Sequence, residues 1–594
     1  MKQFNKIYCL SLIALVTFAS CKKDKKASDS DTAGGTTTTT TGGATNPAPL
    51  ASPVNPATAA TQGFFLDNSW QAKTFATPTN TTTAAKPGAT ATTSVYVDMY
   101  NVLTKVSPYV YGNNINPYTG QMVNQPTLMG YITDLAPNIL RFPGGSLSDV
   151  YFWNASPSQT PANVPARLLN YDGSVSTQGY WYGNNTASYT MTVEDYYQVL
   201  QQTNSTGIIT VNYGYARYGT SAHPDQAAAH LAANWVRYDK GRTKYWEIGN
   251  ENYGNWEAGY RIDAAQNKDG QPEILTGALY GQHFKVFADS MRKAAAEVGA
   301  TIKIGAVLVE LASTASNAIP GWDAGVLGQV GKTADFYIVH NYYTPYNTNS
   351  AAASILATPS TVSPAIMNYV KGQVQSAGAA QVPVALTEWN IQAVGATQNV
   401  SNVAGLHAAM NLGEVIKNQF GEASRWDLAN GYSNGTDQGM FANNANTADA
   451  EPGATAWNPH PAFYYMYFFQ RFFGDRMLNS TVTGSSDLLS YASSFSSGEA
   501  GIVLVNRATT DEVVNVTLSN FTAGASYYYY VLNGGTDNGD FSRKTYINGN
   551  GPSGVAGGPS NYNSIAAYTA SPSGGIKVTV PARGAVYLAI ANKN

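Results

Sequence analysis

The chain has 594 residues and a formal net charge of -3, too long for one simple core at roughly 100 to 200 residues per domain and too nearly neutral to single out nucleic acid or an anionic membrane surface as a partner. Charged residues make up 12% of it, about half the usual ~25%, whereas 40 Tyr, 10 Trp and 56 Gly are abundant. Weakly charged, Tyr-rich surfaces suit stacking on neutral sugars.

At the N-terminus, Lys2 and Lys6 precede an apolar run from Ile7 to Phe18 and the small residues Ala19 and Ser20. That run is too short to span a bilayer, so residues 1–20 read as a signal peptide. Phe18-Ala19-Ser20-Cys21 resembles the lipobox of bacterial lipoproteins, which implies lipidation of Cys21 and an exported, membrane-anchored protein, periplasmic or at the cell surface. Cys9 would leave with the signal, so Cys21 is the one mature thiol and no disulfide can form within a monomer. Residues 21–62, rich in Thr, Ala, Gly and Pro and including six threonines in a row from Thr36 to Thr41, cannot bury a core and read as a solvated tether.

Beyond this tether, residues 63–106 are β-like, notably Ser94 to Asp98, and are expected to join a neighbouring sheet. Residues 107–475 then alternate short apolar runs with helical segments, the pattern of parallel βα units. Strands are expected at Tyr109–Asn113, Ile139–Phe142, Ile208–Asn212, Tyr245–Gly249, Ile302–Val307, Phe336–His340, Val384–Thr387 and Ala423–Trp426. Eight such strands make a (β/α)8 barrel, an α/β fold. Helix starts are marked by Thr192 with Asp195 three residues on and by Pro224, and the spacing of Phe284, Phe287, Ala288, Met291, Ala294 and Ala295 lays one apolar stripe along a helix. Residues 476–594 return to strand alternation, as in Ile502–Val505, Val513–Leu518, Tyr527–Leu532 and Ile576–Val580, and read as a C-terminal β-sandwich.

Active sites of such barrels lie at the C-terminal ends of the strands. Strand four ends in Gly249-Asn250-Glu251 and strand seven in Thr387-Glu388-Trp389, so two carboxylates from opposite sides of the barrel face one mouth. Glycoside cleavage needs such a pair, because the leaving oxygen must be protonated on one side while a carboxylate meets the oxocarbenium-like centre on the other. One of the two must keep its proton near neutral pH, which the negative charge of its partner favours by raising its pKa. Asn250 is placed to donate to the sugar 2-hydroxyl. His340 at the end of strand six, followed by Asn341 and Tyr342, is expected to bond the nucleophile or the sugar, and Trp426 at strand eight to lie under the sugar. Glu247 should point into the barrel interior, and Glu310 after strand five is a rim group. The remaining histidines, His223, His230, His283, His407 and His460, lack metal-ligand spacing, so neither metal nor cofactor is expected. Asn533 to Asp540 reads as a turn rather than a calcium loop.

These motifs resemble glycoside hydrolase clan A, and within it the α-L-arabinofuranosidases of family 51. The similarity runs over residues 108 to 430 through Arg141-Phe142-Pro143-Gly144-Gly145, Val211-Asn212-Tyr213-Gly214, Trp246 to Glu251, Glu388-Trp389-Asn390, the helix at Leu406 to Ile416, and Trp426 to Asn430. It implies a retaining hydrolase of polysaccharide with Glu251 as acid/base, Glu388 as nucleophile, and Arg141 and Asn250 as their neighbours; Asn113, Asn212, His340, Tyr342 and Trp426 complete the set expected around the sugar. The family places an acidic residue at the end of strand one, where this chain has Asn113-Asn114-Ile115-Asn116, and follows the acid/base with Met-Asp-Gly or Ile-Asp-Gly, where this chain has Asn252-Tyr253-Gly254. An endo-β-glycanase of the same clan, or a non-catalytic glycan-binding surface lipoprotein, therefore stays open beside the arabinofuranosidase. Sequence leaves the oligomeric state undetermined.

Overall fold

The computed structural model describes residues 54–392, 397–432, 438–443, 450–535 and 541–593. The expected signal, Cys21 and most of the tether lie outside the described residues, as do residues 536–540 of the expected turn. Eight parallel strands close into a barrel in chain order, at Gly112–Asn114, Ile139–Phe142, Thr206–Val211, Tyr245–Ile248, Lys303–Val307, Phe336–Asn341, Val384–Trp389 and Glu422–Arg425. The eighth pairs with the first through Ser424↔Gly112 and Arg425↔Asn113.

Strand one is shorter than the Tyr109–Asn113 expected. Pro108, pre-set for a helical turn, opens a single 3-10 turn at Pro108–Val110 that Ser107 caps by accepting from the Tyr109 amide. The strand then begins at Gly112, where a Cβ would sit 2.4 Å from Ser424 Oγ and 2.7 Å from Ile139 Cγ2. Only glycine lets strands one, two and eight approach so closely. Thr192 and Asp195 form the expected capping box at the start of helix Val193–Thr203, and the apolar stripe of helix Gly277–Glu297 is buried against the barrel from Phe284 to Ala295.

Packing begins earlier than residue 63. Thr61 and Gln62 are buried; the Thr61 carbonyl accepts from the Val384 amide, and Gln62 bonds Thr104 and Lys105. The cause is Phe65, whose ring packs on Tyr245 and Phe336 under the strand starts and so draws the preceding residues onto the barrel.

The sheet-rich domain is an eleven-stranded sheet, ten strands in one hydrogen-bonded run with Tyr546–Ile547 branching off Ala523–Asn533. It includes Arg476–Thr483, Leu488–Ser494, Ala500–Asn506, Glu512–Ser519, Ala523–Asn533, Ile576–Val580 and Gly584–Asn592. Thr93–Lys105 also belongs to it, antiparallel to Arg476–Thr483 and parallel to Glu512–Ser519. Strand alternation explains why Ile502–Val505 is apolar throughout. Ile502 and Leu504 enter the core that the sheet closes over, with Val95, Val514 and Leu588, while Val503 and Val505 join the core shared with the barrel helices.

Candidate active site

Arg141, on strand two and fully buried, organises the floor of the barrel mouth. Its Nε donates to Glu247 Oε2 at 2.6 Å, one Nη to Glu388 Oε1 at 2.7 Å and to Asn114 Oδ1 at 3.1 Å, and the other to Asn250 Oδ1 at 3.0 Å. Four elements are thus tied by one planar fork, a task that suits guanidinium geometry. Glu247 points into the barrel interior as expected, also accepting from Thr210 at 2.8 Å. Burial works against the Arg141 charge, but the Glu247 and Glu388 carboxylates more than offset it, and the pKa lies above its usual range. The turn that follows needs its glycines: Gly144 and Gly145 take φ of 67° and 66°, and a Cβ on Gly145 would lie 2.6 Å from Trp426 Cη2.

Glu251 follows strand four with φ of 42°, left-handed backbone that a non-glycine residue adopts only where its surroundings hold it. Asp149 supplies part of that hold. Its carboxylate accepts from the amides of Tyr213, Gly214 and Asn250 at 3.0, 3.0 and 3.1 Å and from Asn252 Nδ2 at 2.8 Å, pinning the ends of strands three and four together. Burial pushes its pKa up to about 7. The Glu251 side chain is bonded at both oxygens, by His340 Nδ1 at 2.9 Å and by Trp256 Nε1 at 2.9 Å.

Glu388 is reached from the other side. Strand seven is irregular in register between Leu386 and Trp389 against strand eight, and strand six shifts between Val339 and His340 against strand seven. Such bulges re-aim side chains at barrel rims. Glu388 Oε2 accepts from the Tyr342 hydroxyl at 2.8 Å, Oε1 accepts from Arg141, and His340 Nδ1 lies 3.7 Å from Oε1. His340 Nε2 is 3.0 Å from Thr387 Oγ1, which fixes the ring. Glu251, His340 and Glu388 each bring one donor atom within 4.8 Å of the others, the one such cluster found among the described residues. Arg141 already supplies a fixed positive charge to Glu388 there.

The electrostatics depart from the sequence expectation at Glu251. Burial acts to raise its pKa, but the hydrogen bond and charge of His340, the Trp256 hydrogen bond and the Arg141 charge outweigh burial, and the net shift is downward. His340 moves the opposite way: burial lowers it, and the Glu388 charge with the Glu251 hydrogen bond raises it further. The proton of the pair is thus drawn toward the imidazole. Tyr342 stays a donor, because burial and then the Glu388 and Glu251 charges push its pKa well above the usual phenol value. Glu310 is buried on the rim, accepting from Thr314 and Asn341 at 2.6 and 3.0 Å, and burial pushes its pKa up to about 7.

Glu251, Glu388, Arg141, Asn250, His340 and Tyr342 are brought together by this network. Trp426 lies over Gly145, its carbonyl accepting from Asn390 Nδ2 at 2.5 Å. Two of the expected residues sit apart from this network. Asn113 bonds none of these groups; side chains alternate along a strand, so its neighbour Asn114 faces inward to Arg141. Asn212 is spent on structure: its amide donates to the Tyr151 carbonyl at 3.3 Å and accepts from the Tyr215 amide at 2.9 Å. Sequence reasoning also missed Trp256 and Glu257 in the loop after Glu251. Their signal was proximity alone, since a Trp five residues after a carboxylate has no helical or strand meaning.

Residues 131–354 match the family model described as the Alpha-L-arabinofuranosidase 1 domain. No curated protein matches the chain. Among solved structures, the α-L-arabinofuranosidase of Thermotoga maritima in complex with arabinose is similar, at 16% identity and a TM-score of 0.57 over 84% of this chain and 99% of that one. A family 51 α-L-arabinofuranosidase from Bifidobacterium longum shares 13% identity, with a TM-score of 0.56 over 85% and 100%. A family 44 xyloglucanase of Paenibacillus polymyxa shares 13% identity, with a TM-score of 0.52 over 84% and 99%. The domain match takes in strands two to six with Arg141, Asn250, Glu251 and His340 and ends before Glu388, and the fold is shared with these enzymes along most of the chain; the chain is a glycoside hydrolase that resembles the family 51 α-L-arabinofuranosidases.

Proposed function

We propose that the site hydrolyses α-L-arabinofuranosyl bonds with retention of configuration, Glu388 acting as nucleophile and Glu251 as acid/base. The observation that carries this reading is the opposed carboxylate pair, with one oxygen of each within 4.8 Å of the other. That gap fits the short separation of retaining enzymes, about 5 to 5.5 Å, rather than the ~6.5 to 9.5 Å that admits an inverting water. In the first step Glu388 bonds the anomeric carbon as the glycosidic bond breaks, and the departing oxygen takes a proton from Glu251. Glu251, now a carboxylate, then removes a proton from the water that displaces Glu388. Arg141 and Tyr342, one on each oxygen, hold Glu388 aimed. His340 returns the shared proton to Glu251 as the leaving oxygen approaches.

The arabinofuranosyl assignment rests on the domain match. One observation favours the endo-β-glycanase reading instead: strand one offers Asn114, already bonded to Arg141, where the family places an acidic residue. Purified protein assayed on an aryl α-L-arabinofuranoside and on xyloglucan separates the two. Turnover of the arabinofuranoside supports the first; chain-internal cleavage of the glucan with an inert arabinofuranoside overturns it. Anchoring through a lipid on Cys21 is part of the proposal and is supported by Ala19-Ser20-Cys21. Labelling cells with an alkyne fatty acid should mark the full-length protein and not Cys21→Ser; equal labelling of both overturns it.

A further inference from the structure

Glu257, in the loop after strand four, bonds Asn250 and takes no part in the steps above. It is 4% exposed. Its Oε1 accepts from Asn250 Nδ2 at 3.0 Å and from Ser146 Oγ at 2.7 Å. Asn250 in turn accepts from Arg141 at 3.0 Å through Oδ1. The two ends of the Asn250 amide are therefore specified separately: the oxygen by a cation that can only donate, the nitrogen by an oxygen that accepts. A flipped amide would set an NH2 against the guanidinium and a carbonyl against Oε1, losing both bonds.

We propose that Glu257 is a positioning residue that locks the orientation of the Asn250 amide, so that its second N–H is presented to the 2-hydroxyl of the sugar. The contact matters because hydrogen bonds to the 2-hydroxyl strengthen in the glycosidase transition state. Burial, with the nearby Asp149 and Glu251 charges, holds the Glu257 pKa well above the usual carboxyl range. A neutral carboxyl keeps the accepting carbonyl oxygen that Asn250 needs without adding a second negative charge beside Glu251. The chain Glu257, Asn250, Arg141, Glu388 then connects the loop after strand four to the nucleophile through side chains alone.

The inference rests on the glycoside-cleaving reading but not on which sugar is cleaved. The test compares an aryl glycoside that the wild type turns over with its 2-deoxy counterpart. Glu257→Leu should lower kcat/KM on the 2-hydroxy substrate by about tenfold or more, while the 2-deoxy substrate loses less than about threefold. Glu257→Gln, which keeps an accepting oxygen, should recover most of the loss. Equal losses on both substrates would show a merely structural role and overturn the proposal. If Glu257→Leu folds poorly, Ser146→Ala removes one of the two anchors and should shift the same ratio about two- to threefold; an unmoved ratio overturns it as well. Glu388→Gln run alongside reports on the underlying reading: turnover surviving that change contradicts the catalytic pair, whereas an unmoved ratio contradicts only the role of Glu257.

Discussion

Replacing Arg141 by Met should unsettle both the fold and the chemistry, and the two effects can be separated. The guanidinium pairs with Glu247 at 2.6 Å and Glu388 at 2.7 Å, with side-chain exposures of 0% for Arg141, 0% for Glu247 and 4% for Glu388. Removing one partner of a buried ion pair strands the other, at a cost of about 3 to 5 kcal/mol. Glu247 bears most of this, since Thr210 is its one remaining hydrogen-bonding side chain, whereas Glu388 retains Tyr342. In a barrel of this size the melting temperature should fall on the order of 4 to 6 °C. Adding Glu247→Met removes the worse-stranded carboxylate, so the double variant should recover about half or more of the lost stability. Its kcat should stay down about a hundredfold or more, because Glu388 still lacks its strongest donor. Denaturant melts followed by Trp fluorescence, with initial rates on the same preparations, read both quantities. A single variant that loses less than about 1 kcal/mol, or a double variant no more stable than the single, would refute this account of the barrel floor.

Other outcomes follow from the same contacts. His340→Gln removes the imidazole on which the pair's proton rests; the proton must then sit on Glu251, a carboxyl with a lower ordinary pKa than an imidazole, so the alkaline limb of kcat/KM, which reports loss of that proton, should move to lower pH, and an unmoved limb would count against the pairing. Tyr342→Phe deletes the 2.8 Å bond to Glu388 and should cut kcat about ten- to a hundredfold with KM little changed, as steady-state kinetics would read. Gly145→Ala places a Cβ 2.6 Å from the Trp426 ring at a φ of 66°. It should destabilise by about 1 to 3 kcal/mol and raise KM as the indole shifts, and a variant with wild-type kinetics would argue against Trp426 lying under the sugar.

Glu251 and Glu388 were legible in the sequence because strand period and strand count carry positional information: the ends of strands four and seven can be found without any knowledge of the loops. The same period explains why Asn114 and not Asn113 faces Arg141. With the start of strand one misread by the Pro108 turn, its end was set one residue early, and one residue exchanges the inner face for the outer. Thr93–Lys105 was legible only as Ser94 to Asp98, since its second half, from Val102 to Lys105 beyond a break in register, is made a strand by pairing with Arg476, Met477 and Leu478 rather than by its own residues. Glu257 and Asp149 left no trace, for their roles come from loops that only the closed barrel brings together. The direction of the Glu251 shift was likewise out of reach, because it turns on a 2.9 Å contact with His340 that spacing along the chain does not encode.

The most direct test of the catalytic pair is to trap the glycosyl-enzyme. The protein would be treated with an activated 2-deoxy-2-fluoro glycoside of the sugar it cleaves, digested with pepsin and analysed by mass spectrometry. A single glycosyl adduct on the peptide bearing Glu388, absent from Glu388→Gln, is the predicted result. An adduct on another residue, or inactivation with no covalent adduct and a first-formed product of inverted configuration, would contradict it.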